Sequence, residues 1–448
     1  MSSKFNKYLW ASALAALVLT STGCGADNRS NNDSDNQPSS SVEPVANITV
    51  NDSDAYFKVF NSIYASDKDR NIVLSPVSAE TLTAMLYEAS DGNTRKQIED
   101  TLGINDEYCK KIINVLNMQD DTLKLSNHVR VTDTYFDAML DDYNSKLTGV
   151  YNAALDILNS DSVDEINGIV DKDTNGMIKD ILKPGDLDGV DVFAMNCCAF
   201  DAEWVTKFKN TTQGVFISDT DNKYEAEFMA DVYDGKQDVE DTKYIESKEL
   251  GCYGIAKSYM NNDDKDIRYK FVGILPESGE TVESVISKLN NKAIDTMLND
   301  TTDYWETEAD KFELRVLLPK VVIENKLGLD EIYKALGVTD LFSDSADMSN
   351  GFDAQLSVDK MEQTAVIDIN EIGTKAAAVT SASCAGAMLK PEEIYVREVY
   401  FNRPYIYMIY DTQTGTIDFI GVVNKFDKEL GDDATDLWED GDHKGHIE

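Results

Sequence analysis

The chain has 448 residues, 42% of them hydrophobic, which is enough to bury the core of one large domain or two ordinary ones. Its 82 Asp and Glu against 41 Lys and Arg give a formal net charge of −41. A surface this acidic repels phosphate backbones, so nucleic acid is not an expected partner, whereas basic proteins are drawn towards it.

The chain opens with a targeting segment. Lys4 and Lys7 precede an apolar run over residues 8–20 that is short for a membrane span, and the run ends in small residues, Ser21-Thr22-Gly23-Cys24. Residues 1–24 therefore read as an export signal. A Cys after Gly at the end of such a run resembles the lipobox of bacterial lipoproteins, although Ser21 stands where Leu is usual. That resemblance implies lipidation of Cys24 and membrane anchoring through it, with plain secretion as the alternative. Residues 25–51 are rich in Asn, Ser, Asp and Pro and form a disordered polar tether by composition. At the other end, residues 427–448 read as an acidic flexible tail, whose His443 and His446 are too sparse to argue for a metal.

Between these ends, Phe57, Phe60, Ile63 and Tyr64 fall on one helical face, and Leu82, Met85, Leu86 and Ala89 resume the helical period after the break at 75–78. Strand-like runs follow at 192–200, 271–276, 312–319, 364–369, 405–410 and 417–423. Helical signals dominate the first half and strand signals the second, an order that predicts an α+β fold rather than a βαβ repeat.

Catalytic constellations are scarce. A Ser or Cys hydrolase needs an imidazole base, and of three histidines only His128 lies outside the tail, within a strand-like run. That context predicts a structural histidine, and no catalytic residue is assigned. Residues 171–176, DKDTNG, copy the start of a calcium loop, but Leu182 stands where the bidentate Glu closes such loops, so a helix end is expected and no metal. Cys197 and Cys198 are neighbours in an apolar strand, where their side chains must diverge, and Cys109, Cys252 and Cys384 show no metal spacing. Phosphate-loop and dinucleotide fingerprints are missing, and no cofactor is expected.

Seven stretches together resemble the serpin family. They are NIVLSPVSAETLTAMLYEASDGNTRKQIEDTLG, INGIVDKDTNGMIKDIL, FAMNCCAFDAEWVTKF, FELRVLLPKVVIENKLGLDEIYKALGVTDLFSDSADMS, EIGTKAAAV, FNRPYIYMIYD and GVVNKF, in family order and spacing. The resemblance implies one serpin domain over residues 52–426, with helices packed on a large central mixed sheet, smaller sheets, and an exposed reactive-centre loop. It implies a monomer, exported to the cell surface or the extracellular space, whose partner is a target serine protease held as a covalent acyl-enzyme. Carried over residue by residue, Trp204 falls at the breach of the sheet, and Ser75, Ser78 and Asn196 fall at its shutter. Gln363 stands where serpins usually place a shutter His, and an amide there can donate and accept hydrogen bonds without titrating.

Glu371, Gly373, Thr374, Ala376, Ala377 and Ala378 match the hinge of inhibitory members. The loop that follows is small and neutral on one parity: Thr374, Ala376, Ala378, Thr380, Ala382, Cys384 and Gly386 alternate, while Lys375, the one charge, has the other. Such a face suits insertion between existing strands. Counting from Gly373 as the family does puts the reactive bond between Ala387 and Met388, which fits elastase-like or subtilisin-like proteases. The long stretch before Pro404 leaves Met388-Leu389 and Leu389-Lys390 open as alternatives. A non-inhibitory serpin, acting as a binding module or a simple substrate, is the other functional class.

Overall fold

The computed structural model describes residues 55–118, 121–234, 241–260, 267–299, 312–374, 395–431 and 434. Phe57, Phe60, Ile63 and Tyr64 form the buried face of α1 (Ala55–Ser66), as their spacing predicts. Helix α2 (Pro76–Ala89) begins with Pro in its first turn, where a missing N–H costs nothing, and Ser75 caps it. Almost every residue of α2 is buried, and Thr81 and Thr83 meet that condition by donating their hydroxyls to Val77 and Ala79 carbonyls at 2.6 and 2.7 Å. Helices α3 (Gly92–Leu102), α4 (Asp106–Asn117), α5 (Asp133–Asp137), α6 (Asp141–Gly149) and α7 (Ser162–Asp173) follow. Later come α8 (Val282–Ile286), α9 (Asn291–Asn299) and α10 (Leu329–Leu336).

Three sheets organise the rest of the described residues. The central one runs β3 (Ala153–Ile157), β2 (Leu123–Val131), β4 (Val192–Phe200), β13 (Lys360–Ile369) and β12 (Val321–Gly328), with β4 parallel to β13 and β2 antiparallel to β4. Two-residue strands β14 (Gly373–Thr374) and β5 (Ala202–Glu203) complete its upper end. An antiparallel sheet orders β1 (Ile72–Leu74), β17 (Thr416–Val423), β16 (Tyr405–Asp411), β10 (Tyr269–Pro276), β9 (Cys252–Ser258) and β8 (Thr242–Ser247). The third orders β15 (Tyr395–Tyr400), β11 (Phe312–Pro319), β7 (Lys223–Asp234) and β6 (Asn210–Ile217).

Strand β4 is buried along its whole length because both of its faces are covered. Cys197 packs beneath Ile166 and Val170 of α7, while Cys198 joins Val73 and Val77 on the other side. The described cysteines, Cys109, Cys197, Cys198 and Cys252, are free and buried. At 174–176 the DKDTNG run is a helix end: Asn175 and Gly176 take φ of +51° and +74°, and the Thr174 hydroxyl donates to Val170 O at 2.7 Å and accepts from Ile178 N at 3.1 Å. Asp171 faces Lys179 at 3.5 Å.

Three sequence expectations need correction. Strands β2, β3, β4 and β6 lie in the first half of the chain, so the division into a helical and a strand half is only approximate. Strand β13 starts at Lys360, not 364, because its polar residues are paired: Glu362 lies 3.1 Å from Lys326 and 3.0 Å from Lys360. The start of the acidic tail is held in place, with Glu225 N donating to Lys428 O at 2.9 Å and Leu430 N donating to Lys223 O at 2.7 Å. No helix among the described residues is long and apolar enough to cross a membrane.

Candidate functional site

In the middle of the central sheet, Gln363 of β13 sits in register with Asn196 of β4, and Asn196 with Asn127 of β2. The Gln363 amide embraces the start of α2. Its Nε2 donates to Ser75 O at 2.8 Å and to Ser78 Oγ at 2.9 Å, and its Oε1 accepts from Ser75 N at 3.1 Å. Ser78 Oγ in turn donates to Asn196 Oδ1, Asn196 Nδ2 donates to Asn127 Oδ1, and Asn127 Nδ2 ends the chain on Tyr151 O at 2.9 Å. Ser75, Ser78, Asn196 and Gln363 are fully buried. Each such bond contributes only about 1 kcal/mol net, but losing one partner strands a buried polar group at a cost of about 1–3 kcal/mol. The network therefore acts as a lock on the relative position of α2, β4 and β13. Sequence reasoning brought four of these residues together and missed Asn127.

At the upper end the pairing of β4 with β13 stops at Ala199 and Val366. Beyond it the chain turns through 370–372 and comes back as β14, so that Thr374 pairs with Ile369 on one side while Gly373 and Thr374 pair with Glu203 and Ala202 on the other. A Cβ on Gly373 would lie 2.1 Å from Ala202 O, so the fit requires glycine. Trp204 holds this turn from below. Its backbone N donates to Ile372 O and its Nε1 to Asn370 O, both at 2.8 Å. The indole stacks on Tyr259 at 4.3 Å, and the Tyr259 hydroxyl lies 2.6 Å from Thr374 Oγ1. Asn370 Oδ1 accepts from Ile372 N at 3.0 Å and from Gly373 N at 3.3 Å.

Charges frame the turn. Glu371 is paired with Lys320 at 2.9 Å, and Lys320 with Glu227 at 2.9 Å. Partial burial raises the Glu371 carboxyl, but hydrogen bonds from Lys320 and from its own backbone outweigh this and hold it below the usual range. Lys257 is buried beneath Trp204, donating to Tyr233 Oη at 3.1 Å and Thr242 Oγ1 at 3.0 Å, with its ammonium 5.0–5.6 Å from the rings of Trp204, Phe208 and Tyr233. Neither Lys257 nor Asn370 carries a sequence signal that singles it out. Ala376, Ala377, Ala378, Cys384, Ala387 and Met388 lie outside the described residues, as does Cys24.

A family model for serpins (serine protease inhibitors) matches residues 51–426. The chain belongs to the serpin family. Among relatives of this serpin, the bovine leukocyte elastase inhibitor (Bos taurus) is 29% identical over 366 residues, covering 78% of this chain and 92% of the relative. The thermophilic serpin Tengpin in its native state superposes with a TM-score of 0.69 at 28% identity, covering 83% of this chain and 92% of that one. Human thyroxine-binding globulin complexed with thyroxine has a TM-score of 0.67 at 21% identity, covering 84% and 98%, and shows the shared fold alone. The α+β architecture is thus the serpin fold, and serpins as a family inhibit serine proteases through covalent complexes rather than act as enzymes.

One further polar group of this serpin bears on the hydrolase alternative. His128 is buried in β2, its Nε2 2.9 Å from Ser126 Oγ, and Ser126 Oγ donates to Asp173 Oδ2 at 2.8 Å. The three residue types of a hydrolytic triad are present, but wired differently: the carboxylate takes the serine proton, and none of the described residues orients Nδ1. Burial, and then Arg130, push the imidazole down to about 3, and a ring so closed cannot serve as a base for substrate.

Proposed function

We propose that this serpin is a suicide-substrate inhibitor of serine proteases with shallow, elastase-like or subtilisin-like specificity pockets. The protease serine attacks the carbonyl of Ala387, the chain beginning at Met388 leaves, and Ala387 stays bound as the acyl group. The freed segment enters between β4 and β13 as an added strand and carries the protease with it, so that a distorted active site cannot complete hydrolysis. The export signal and Cys24 put this activity outside the cytoplasm, tethered through residues 25–51 or secreted, with the inhibitor acting as a monomer.

The observation that carries this reading is the seat of Gly373 and Thr374 between Ile369 and Ala202–Glu203, directly above the point where β4–β13 pairing ends. The strand to be added has already been started, and the residues that continue it are small and neutral on one parity. Hydrogen bonding alone does not drive the addition. New ladder bonds return about 0.5–1.5 kcal/mol each against about 1–2 kcal/mol of backbone entropy per residue, so the gain must come from relaxing the sheet.

The test is to mix the purified protein lacking residues 1–24 with pancreatic or neutrophil elastase, and to analyse the products by denaturing electrophoresis and mass spectrometry. A complex that survives SDS, with a released peptide starting at Met388, is the expected result. A cleaved serpin beside fully active elastase, chymotrypsin and subtilisin would instead assign it to the non-inhibitory members.

A further inference from the structure

Helix α7 lies across the seam that a new strand must open. Its Ile166 and Val170 pack with Phe193, Met195 and Cys197 of β4 and with Val366 of β13. Adding a strand moves β4 and β13 from about 4.8 Å to roughly 9.6 Å apart, so α7 cannot keep both contacts and must lift.

Beneath α7, the face of β2 is polar. Ser126, His128 and Arg130 alternate along it; Ser126 reaches Asp173 of α7, and Arg130 reaches Asp156 of β3 at 3.2 Å and Glu165 of α7 at 3.6 Å. The hydroxyl of Ser126 has one proton and gives it to Asp173, so the contact with His128 must be donated by its Nε2–H. His128 is therefore the Nε2–H tautomer, and its Nδ1 lone pair is buried without a partner among the described residues. The charges around the ring are Arg130 on its own strand, Asp156 on β3, and Glu165 and Asp173 on α7. Strand β4, which sets Met195 opposite His128, contains no charged residue.

We infer that Ser126, His128 and Asp173 form an acid-sensitive clasp that holds α7 over the β4–β13 seam at neutral pH and releases it as the pH falls. On the inhibitory reading above, on which this consequence rests, the clasp sets how fast a strand can enter. With α7 seated, burial disfavours the charged ring and Arg130 adds to this, so the imidazole is pushed down to about 3. With α7 lifted the ring meets water and regains a value near ~6.5. Between those values the lifted state binds the extra proton, so lowering the pH favours lifting.

Hydrogen exchange of the α7 amides tests this, after correction for the intrinsic pH dependence of exchange. The two pKa values imply an opening equilibrium about tenfold larger at pH 5.5 than at pH 7.5 in the wild type. H128Q, which keeps a donor for Ser126 but does not titrate, is expected to lose that increase. The same increase in both proteins overturns the clasp. If H128Q fails to fold, NMR of the wild-type ring decides: a native His128 still neutral at pH 4.5 supports the proposal, and one titrating near 6.5 overturns it. A chain that gains no heat stability after loop cleavage at any pH would sink the inhibitory reading, while the exchange result would still decide the clasp.

Discussion

Gln363 concentrates the buried network's dependence on single polar atoms. Replacing it by Leu leaves the N–H and C=O of Ser75 and the hydroxyl of Ser78 with fewer partners in a buried site, and Q363L is expected to cost about 1–3 kcal/mol per stranded group in urea unfolding at pH 7.5. An unchanged midpoint would show that the lock is not stabilising. His128 gives the native state its own pH dependence. Its imidazole is depressed to about 3 against an unfolded value near ~6.5, so the unfolded chain binds the extra proton between them. Stability from this group is complete above the unfolded value and is lost progressively as pH falls towards 3. The melting temperature of wild type should accordingly fall more steeply than that of H128Q between pH 6.5 and 4.5. Parallel curves would refute this assignment.

Among the elements, the two-residue strand β14 is the one on which the proposed inhibitory function turns. Gly373→Val would drive a branched side chain into Ala202 O, and Thr374→Arg would bury a guanidinium where Thr374 now meets Tyr259. Both variants are expected to be cleaved by elastase as readily as wild type but to yield at least tenfold less covalent complex, read by gel densitometry. Unaltered complex formation would remove the hinge from the mechanism. Strands β4 and β11 were legible in the sequence to the residue because apolar residues dominate both, whereas Ser75, Ser78, Asn196 and Gln363 were singled out through the serpin resemblance alone: the serines stand at a break in the helical signal and Gln363 precedes the run read as a strand. Strand β12 was not legible: its burial alternates strictly, yet Glu324, Asn325 and Lys326 mask the period, since Lys326 spends its charge on Glu362 and Asn325 accepts from Val73 N. Asn127 and Asn370 escaped for a related reason. Asn127 matters through the strand register that sets Asn196 opposite it, and Asn370 through the distant Trp204 indole that its carbonyl accepts as well as through its own turn to Ile372 and Gly373.

At the scale of the whole molecule, a net charge of −41 makes encounter with a basic protease an electrostatic event. Association with a cationic elastase should slow several-fold between 50 and 500 mM salt, while the partition between complex and cleaved product stays constant. A salt-independent rate would mean that the charge serves solubility alone. The pairing of Lys428 and Leu430 with the start of β7 carries a practical consequence for the molecule's boundaries. A chain cut after Phe426 would keep every residue the family match covers, yet it would bare the backbone of Lys223 and Glu225 along an open strand flank. Such a flank accepts another copy's strand as easily as its own tail, so shortening the protein to its family limits invites self-association.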